Sequence, residues 1–274
     1  MQDYSDIVLQ AALEAGQAIM AYYRGGFSVE RKSDASPVTE ADRTADKIIR
    51  RHLESTGIPI ISEESAVADF SERKNWGRVW MVDPLDGTKE FIKRTGEFTV
   101  NIALLEEGKP TEGLVFAPAL GLLYQTRQGR LIKEIYLLQE RNVFIKSQAF
   151  SLSQETNRSW NVCASISHAN SATLAFVERY RSAHPSGTLL SIGSSLKFGL
   201  LAEGKAGIYP RFSPTMEWDT AAGQAILQAA GGNVWNAETG NPIRYNRENL
   251  MNGNFIATAS NISKEEAFSY LMKS

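Results

Sequence analysis

Apolar positions recur at helical spacing through Ile7, Val8, Ala11, Ala12, Ala15, Ile19 and Tyr22, which predicts a helix over Ser5 to Tyr23. Gly25-Gly26 stops it, and Ser33-Asp34-Ala35-Ser36-Pro37 reads as a mobile loop. A second helix is predicted from about Thr39 to Leu53, with Ile48, Ile49 and Leu53 on one face. The pattern then turns strand-like at Ile58–Ser62, Arg78–Val82, Phe98–Leu105, Gly113–Ala117 and Leu122–Thr126, with a hairpin signal at Glu107-Gly108-Lys109-Pro110. Beyond a polar stretch at Phe150–Ser159 the alternation resumes. Strands are predicted at Asn161–Ser165, Leu189–Ile192, Gly207–Tyr209 and Phe255–Ala259. Helices are predicted at Thr173–Ser182, Ser195–Ala202, Thr220–Ala230 and Lys264–Met272. The polar stretch suggests two parts, 1–155 and 156–274.

Composition narrows the function classes. The 274 residues are 43% hydrophobic and 22% charged, an ordinary globular balance. A net charge of −2 offers no field for nucleic acid or an anionic membrane. A polyanionic substrate would therefore need metals or a few basic side chains. Cys163 is the single cysteine, so no intrachain disulfide forms. No signal peptide or membrane-spanning run is evident, and a reducing, cytoplasmic compartment is expected.

The candidate chemistry is carried by carboxylates. Trp80-Met81-Val82-Asp83-Pro84-Leu85-Asp86-Gly87-Thr88 delivers two acids three positions apart at a turn. Glu63-Glu64 follows another apolar run, and Glu217-Trp218-Asp219 opens a small-residue helix. If the fold unites these segments, Glu63, Asp83, Asp86 and Asp219 form an all-oxygen cluster suited to a hard cation such as Mg²⁺. Gly87 lets backbone N–H groups approach an anion, and Thr88 would stand at a helix N-terminus that favours phosphate. Each residue also has a plainer reading. Asp83 and Asp86 fit an Asp-Gly turn, Asp219 an N-cap, and Asp42 a capping-box partner of Thr39. Glu63 and Glu64 fit a solvated strand end. The Asp-x-x-Asp-Gly-Thr spacing differs from the Asp-x-Asp-Gly-Thr of phosphatases with a nucleophilic aspartate. No nucleophile elbow, Walker loop or dinucleotide fingerprint occurs.

Taken in order, Glu63-Glu64, Asp83-Pro84-Leu85-Asp86-Gly87-Thr88 and Trp218-Asp219-Thr220-Ala221-Ala222-Gly223 resemble the lithium-sensitive, metal-dependent sugar phosphatases. That superfamily includes inositol monophosphatases, fructose-1,6-bisphosphatases and bisphosphate nucleotidases. Lys89-Glu90-Phe91-Ile92, Gly96–Leu104, Ser191–Phe198 and Tyr209–Phe212 are similar to the bacterial 3′(2′),5′-bisphosphate nucleotidase branch. Two stretches depart from it. Ser165-Ile166-Ser167-His168 has Ile166 where the branch often has Arg, and 127–157 lacks a glycine-rich hairpin.

The resemblance implies an α+β fold, a layered α-β-α-β-α sandwich. It implies one Mg²⁺ on Glu63, Asp83 and the Leu85 carbonyl, a second on Asp83, Asp86 and Asp219, and room for a third near Glu63. Catalytic roles fall to Glu63, Asp42 and Thr88. Phosphate contacts fall to Gly87 and Thr88, and substrate contacts to Asp219, Ser194, Ser195, Lys197 and Arg211. The implied substrate is a small nucleotide bisphosphate, adenosine 3′,5′-bisphosphate with PAPS beside it. An inositol or sugar monophosphate is the alternative, encouraged by Glu217 as an acceptor for sugar hydroxyls, and a non-catalytic sensor is the third reading. Related bacterial enzymes are soluble or loosely attached to the inner membrane face. Oligomeric state is not legible here.

Overall fold

The computed structural model describes residues 3–31, 37–139, 144–152, 159–164 and 170–271. Helix α1 (Ser5–Gly25) precedes a short hairpin, β1 (Val29–Arg31) with β2 (Pro37–Thr39), and helix α2 (Glu40–Leu53). Then come β3 (Ile60–Ser62), α3 (Phe70–Arg73), β4 (Arg78–Asp86), α4 (Thr88–Ile92), β5 (Thr99–Glu106), β6 (Lys109–Ala117), β7 (Leu122–Arg127), β8 (Arg130–Leu138) and β9 (Phe144–Leu152). Strands β3 to β9 lie in sequence order in a seven-stranded sheet, parallel only between β3 and β4.

The later elements are β10 (Val162–Ala164), α5 (Ser171–Ala183), β11 (Leu189–Ser191), α6 (Leu196–Ala202), β12 (Ile208–Arg211), β13 (Thr215–Met216), α7 (Glu217–Ala229), β14 (Asn233–Asn236), β15 (Met251–Asn252), β16 (Phe255–Thr258) and α8 (Lys264–Ser269). They build a mixed five-stranded sheet in the order β11-β10-β12-β16-β14.

Three apolar cores set the layering. Ala12, Ile19 and Ile49 of α1 and α2 pack on Val82, Ile102 and Phe116 of the first sheet. On its other face Met81, Ala103 and Val115 meet Phe198, Ala222 and Ile226 of α6 and α7, which also bury Tyr209, Val234 and Phe255 of the second sheet. Phe176 and Ala267 of α5 and α8 cover the far face of that sheet at Val162 and Ile256. The expected α-β-α-β-α sandwich results. Covering both faces of the first sheet explains why β4 is buried without a break from Val79 to Leu85. No helix among the described residues is long and apolar enough to cross a membrane.

Small residues let α7 lie directly on the sheet. A Cβ on Gly113 of β6 would stand 2.6 Å from the Ala222 carbonyl oxygen, and one on Gly223 would stand 2.2 Å from the Phe198 ring. Helix α7 begins at Glu217, earlier than the expected Thr220. Strands β8, β9 and β14 were not expected. In β8 and β9 charged residues replace the apolar alternation, because their partners are built in: Lys146 pairs with Glu134, and Lys133 with Glu203 of the middle layer at 2.6 Å. The expected dividing stretch 150–159 falls largely outside the described residues, as do 33–36 and 165–169 with Ile166 and His168.

The close seating of α7 makes Gly113 a sensitive position. Gly113→Ala is expected to cost about 1–3 kcal/mol through overpacking. Urea denaturation checks it; an unchanged midpoint would mean that α7 moves aside freely.

Candidate active site

The site forms where β3 and β4 end and α7 begins. The Glu63 N–H donates to the Val82 carbonyl at 3.2 Å, extending the β3–β4 pairing. Asp46 of α2 accepts hydrogen bonds from Ser62 Oγ at 2.5 Å and Ser65 Oγ at 2.9 Å, pinning the turn that carries Glu63-Glu64. In β4 the pairing is regular to Asp83↔Asn101, then shifts to Asp86↔Thr99. Residues three apart on a regular strand face opposite sides. The extra residue of this bulge brings Asp83 and Asp86 back to one side. The Leu85 N–H donates to Asp83 Oδ1 at 3.0 Å.

Asp86 Oδ2 accepts from Ser195 Oγ at 2.9 Å and from Asn101 Nδ2 at 3.4 Å. Gly87 holds φ 88°, a left-handed value that favours glycine, and Thr88 follows as the first residue of α4. Asp219 is the third residue of α7, and its Oδ2 accepts from the Met216 N–H at 2.8 Å. The expected N-cap role therefore belongs to Met216. Asp219 bonds back to the cap from inside the helix.

Carboxylate oxygens of Glu63, Asp83 and Asp219 lie within 4.8 Å of one another. Asp86 stands beside them, close enough that its charge acts on both Asp83 and Asp219. Burial, then the charges of Glu63, Asp86 and Asp219, push the Asp83 carboxyl well above its ordinary range. Burial and then Asp86 do the same to Asp219. An all-oxygen, mutually repelling donor set fits a hard divalent cation.

Asp42 joins the site from the start of α2. Its Oδ2 accepts from the Thr39 N–H at 2.8 Å and Thr39 Oγ1 at 2.6 Å, as a capping-box partner does. Its Oδ1 accepts from Thr88 Oγ1 at 3.1 Å. Capping and contact with Thr88 use different oxygens, so the two readings hold together. Burial raises the Asp42 carboxyl, against the lowering effect of the Thr39 and Thr88 hydrogen bonds.

Glu63, Asp86, Thr88 and Asp219 face a cavity of about 220 Å³ whose wall also includes Lys89, Ser194, Lys197, Tyr209 and Arg211, while Asp83 and Asp42 lie buried behind them. The Lys197 ammonium is buried. It donates to the Ile192 and Ser194 carbonyls at 3.0 and 2.7 Å and lies 5.2 Å from the Tyr209 ring centre. Burial lowers its pKa to about 8. Ser194 Oγ and Arg211 Nε have no hydrogen-bond partner among the described residues.

Two expectations change. Ser195 Oγ is turned inward: its one proton goes either to Asp86 Oδ2 at 2.9 Å or to the Asp219 carbonyl at 2.8 Å, and it accepts from Asn101 Nδ2 at 2.9 Å. Its hydroxyl is engaged with the acids, and the residue also lines the cavity. Glu217 is 0% exposed and engaged by Arg247 and the 246–247 backbone, so it is no acceptor for sugar hydroxyls. Asn101, Asp46, Ser62 and Ser65 were missed. Asn101 left one signal, a lone amide inside the apolar run Phe98–Leu105.

A model of the inositol monophosphatase family matches residues 1–273. The chain belongs to the inositol monophosphatase family. Within it, the chain is 44% identical over 258 residues to the 3′(2′),5′-bisphosphate nucleotidase CysQ of Salmonella typhimurium, covering 92% of this chain and 98% of that one. It is 42% identical over 255 residues to the CysQ of Escherichia coli K12, covering 91% and 97%. The crystal structure of CysQ from Bacteroides thetaiotaomicron, a bacterial member of the inositol monophosphatase family, superposes with a TM-score of 0.81 at 39% identity, covering 93% and 97%.

The raised acids give the metal-free fold a pH signature. A carboxyl with a raised folded pKa binds its proton more tightly folded than unfolded. Its contribution is present below the ordinary carboxylate range and is lost as pH rises through the raised value. Asp83→Asn should therefore raise the melting temperature in EDTA at neutral pH, with a gain that shrinks toward pH 4. Melting curves across pH check this; equal melting temperatures at every pH would refute the repulsion.

Proposed function

We propose that this chain is a Mg²⁺-dependent phosphatase that removes the 3′-phosphate of adenosine 3′,5′-bisphosphate, releasing AMP and phosphate. The same chemistry extends to the 3′-phosphate of PAPS. The observation that carries the reading is the approach of Glu63, Asp83 and Asp219 to within 4.8 Å beside the Thr88–Asp42 pair. Family membership and the nucleotidases matched over most of the chain support the reaction and the substrate.

Glu63, Asp83 and the Leu85 carbonyl would hold one ion, and Asp83, Asp86 and Asp219 a second, with a third near Glu63. When bound, Mg²⁺ acts as a Lewis acid that acidifies water and offsets charge on the phosphate ester. Thr88 Oγ1 has one proton, which it gives either to Asp42 Oδ1 at 3.1 Å or to the Leu85 carbonyl at 3.3 Å. In the first arrangement its lone pairs face outward. Thr88 accepts a proton from the attacking water while passing its own to Asp42, whose raised carboxyl is suited to receive it. The Gly87 and Thr88 N–H groups hold phosphate oxygens. Ser194 Oγ, Arg211 and the remaining Lys197 donor would take the nucleotide and its second phosphate, a reading supported by their place in the cavity wall and by the unpartnered Ser194 Oγ and Arg211 Nε. An inositol phosphate reading loses its distinguishing residue, because Glu217 is sealed beneath the helix start.

Phosphate release from adenosine 3′,5′-bisphosphate and inositol 1-phosphate, with Mg²⁺, with EDTA, and with Mg²⁺ plus Li⁺, tests the assignment. Mg²⁺-dependent turnover that favours the nucleotide and is blocked by Li⁺ is expected. A kcat/KM preference for inositol 1-phosphate would overturn the substrate. Thr88→Ala should lower kcat by roughly 10²- to 10⁴-fold, the range of a lost proton-transfer group; an unchanged kcat would remove Thr88 from the reaction.

A further inference from the structure

A partly buried bracket surrounds the start of α7. Glu217 Oε2 accepts from the Asn246 N–H at 2.6 Å, and Oε1 accepts from Arg247 Nε at 2.8 Å and the Arg247 N–H at 3.2 Å. Arg247 Nη2 donates onward to the Met251 carbonyl at 2.9 Å and to Asn252 Oδ1 at 3.0 Å. Asn252 Nδ2 donates to the Met216 carbonyl at 2.8 Å and to Thr220 Oγ1 at 2.9 Å. Residues on both sides of Asp219 are thereby gripped by one loop, 246–252.

The same loop is bolted to α3, in the segment that follows Glu63. Arg73 is 3% exposed and ends α3, ten positions after Glu63. Its guanidinium donates to Asn246 Oδ1 at 2.9 Å, the Arg247 carbonyl at 2.6 Å and the Glu248 carbonyl at 2.8 Å. Asn246 Nδ2 returns a bond to the Arg73 carbonyl at 2.7 Å. The side chains of Glu217, Arg247, Arg73, Asn246 and Asn252 do not line the cavity of the acid cluster.

We propose that Glu217, Arg247 and Arg73 are positioning residues that hold Asp219 in register with Glu63, so that the two acids from distant segments meet around a divalent cation. The proposal rests on the metal reading above. An ion pair of this kind adds little net stability over apolar packing, yet removing one partner leaves the other charge buried. Groups that orient metal ligands typically alter affinity by 10- to 100-fold. A purely structural role would lower melting temperature without that selective loss.

The test titrates Mn²⁺ into the metal-free full chain by calorimetry, for wild type, Glu217→Gln, Arg73→Lys and Phe176→Leu. Phe176 is fully buried in the outer core, away from the bracket, and serves as the destabilised control. Glu217→Gln should weaken Mn²⁺ binding roughly tenfold and Arg73→Lys by several-fold, while Phe176→Leu lowers melting temperature and leaves affinity unchanged. Wild-type affinity in both bracket variants would overturn the proposal. Should Glu217→Gln fail to fold, Arg73→Lys decides alone. A wild-type chain that binds no Mn²⁺ would overturn the metal reading itself, and this one with it.

Discussion

The structure is organised around a repulsion. Asp83 and Asp219 carry oxygens within 4.8 Å of each other and of Glu63, and two charges at that separation repel by about 3.5 kcal/mol at an effective dielectric near 20. The three aspartates are nevertheless held by donors of their own: Asp83 by the Leu85 N–H, Asp219 by the Met216 N–H, Asp86 by Ser195. These bonds fix orientation without neutralising charge. Strong backbone geometry, a bulge in β4 and a helix start in α7, replaces what side-chain attraction would supply elsewhere. A fold that keeps like charges together in this way is poised to gain stability from a cation that binds only the native state.

That arrangement depends on close packing far from the acids. Asp219 reaches the end of β4 because α7 lies against the sheet at backbone distance, where Gly113 faces Ala222. The helix also begins early. Its first turn, capped backward by Asp219, puts Glu217 inside and leaves Asp219 toward the cavity. The sequence of small residues after Trp218 is thus part of the site's geometry as well as of the core.

Much of this could be read from residues in order, for identifiable reasons. Helices α1 and α2 show clear periodicity, because one face meets the sheet and the other meets water. The acids stood out because four carboxylates border apolar runs. Strands β8 and β9 did not stand out. Their charged residues are matched across strands or from the residue that caps the end of α6, and pairing between distant positions leaves no local pattern. The same blindness hid the role of Ser195. A serine before a helix reads as a surface contact, and only the fold shows Asp86, Asn101 and the Asp219 carbonyl converging on it. Glu217 misled for the opposite reason. A charged residue beside a ligand motif suggests a pocket, whereas its partners Asn246 and Arg247 lie about 30 positions away.

The cavity is built from opposed electrostatics. Its acidic wall repels an anionic ester, and the chain as a whole carries a net charge of −2. Lys197 and Arg211 contribute to the cationic wall, yet Lys197 is committed to two loop carbonyls, and among the described residues the Arg211 guanidinium donates at 3.4 Å to the Pro214 carbonyl. Cations at the acids and phosphate at the basic wall therefore depend on each other. Metal lowers the repulsion that phosphate meets, and phosphate supplies oxygens that the three clustered carboxylates do not. Reciprocity of this kind means that each strengthens the other by the same factor. A substrate with two phosphates engages both walls at once, and a monophosphate leaves one of them unmatched. On the function proposed above, this is the physical argument for a bisphosphate over a monophosphate.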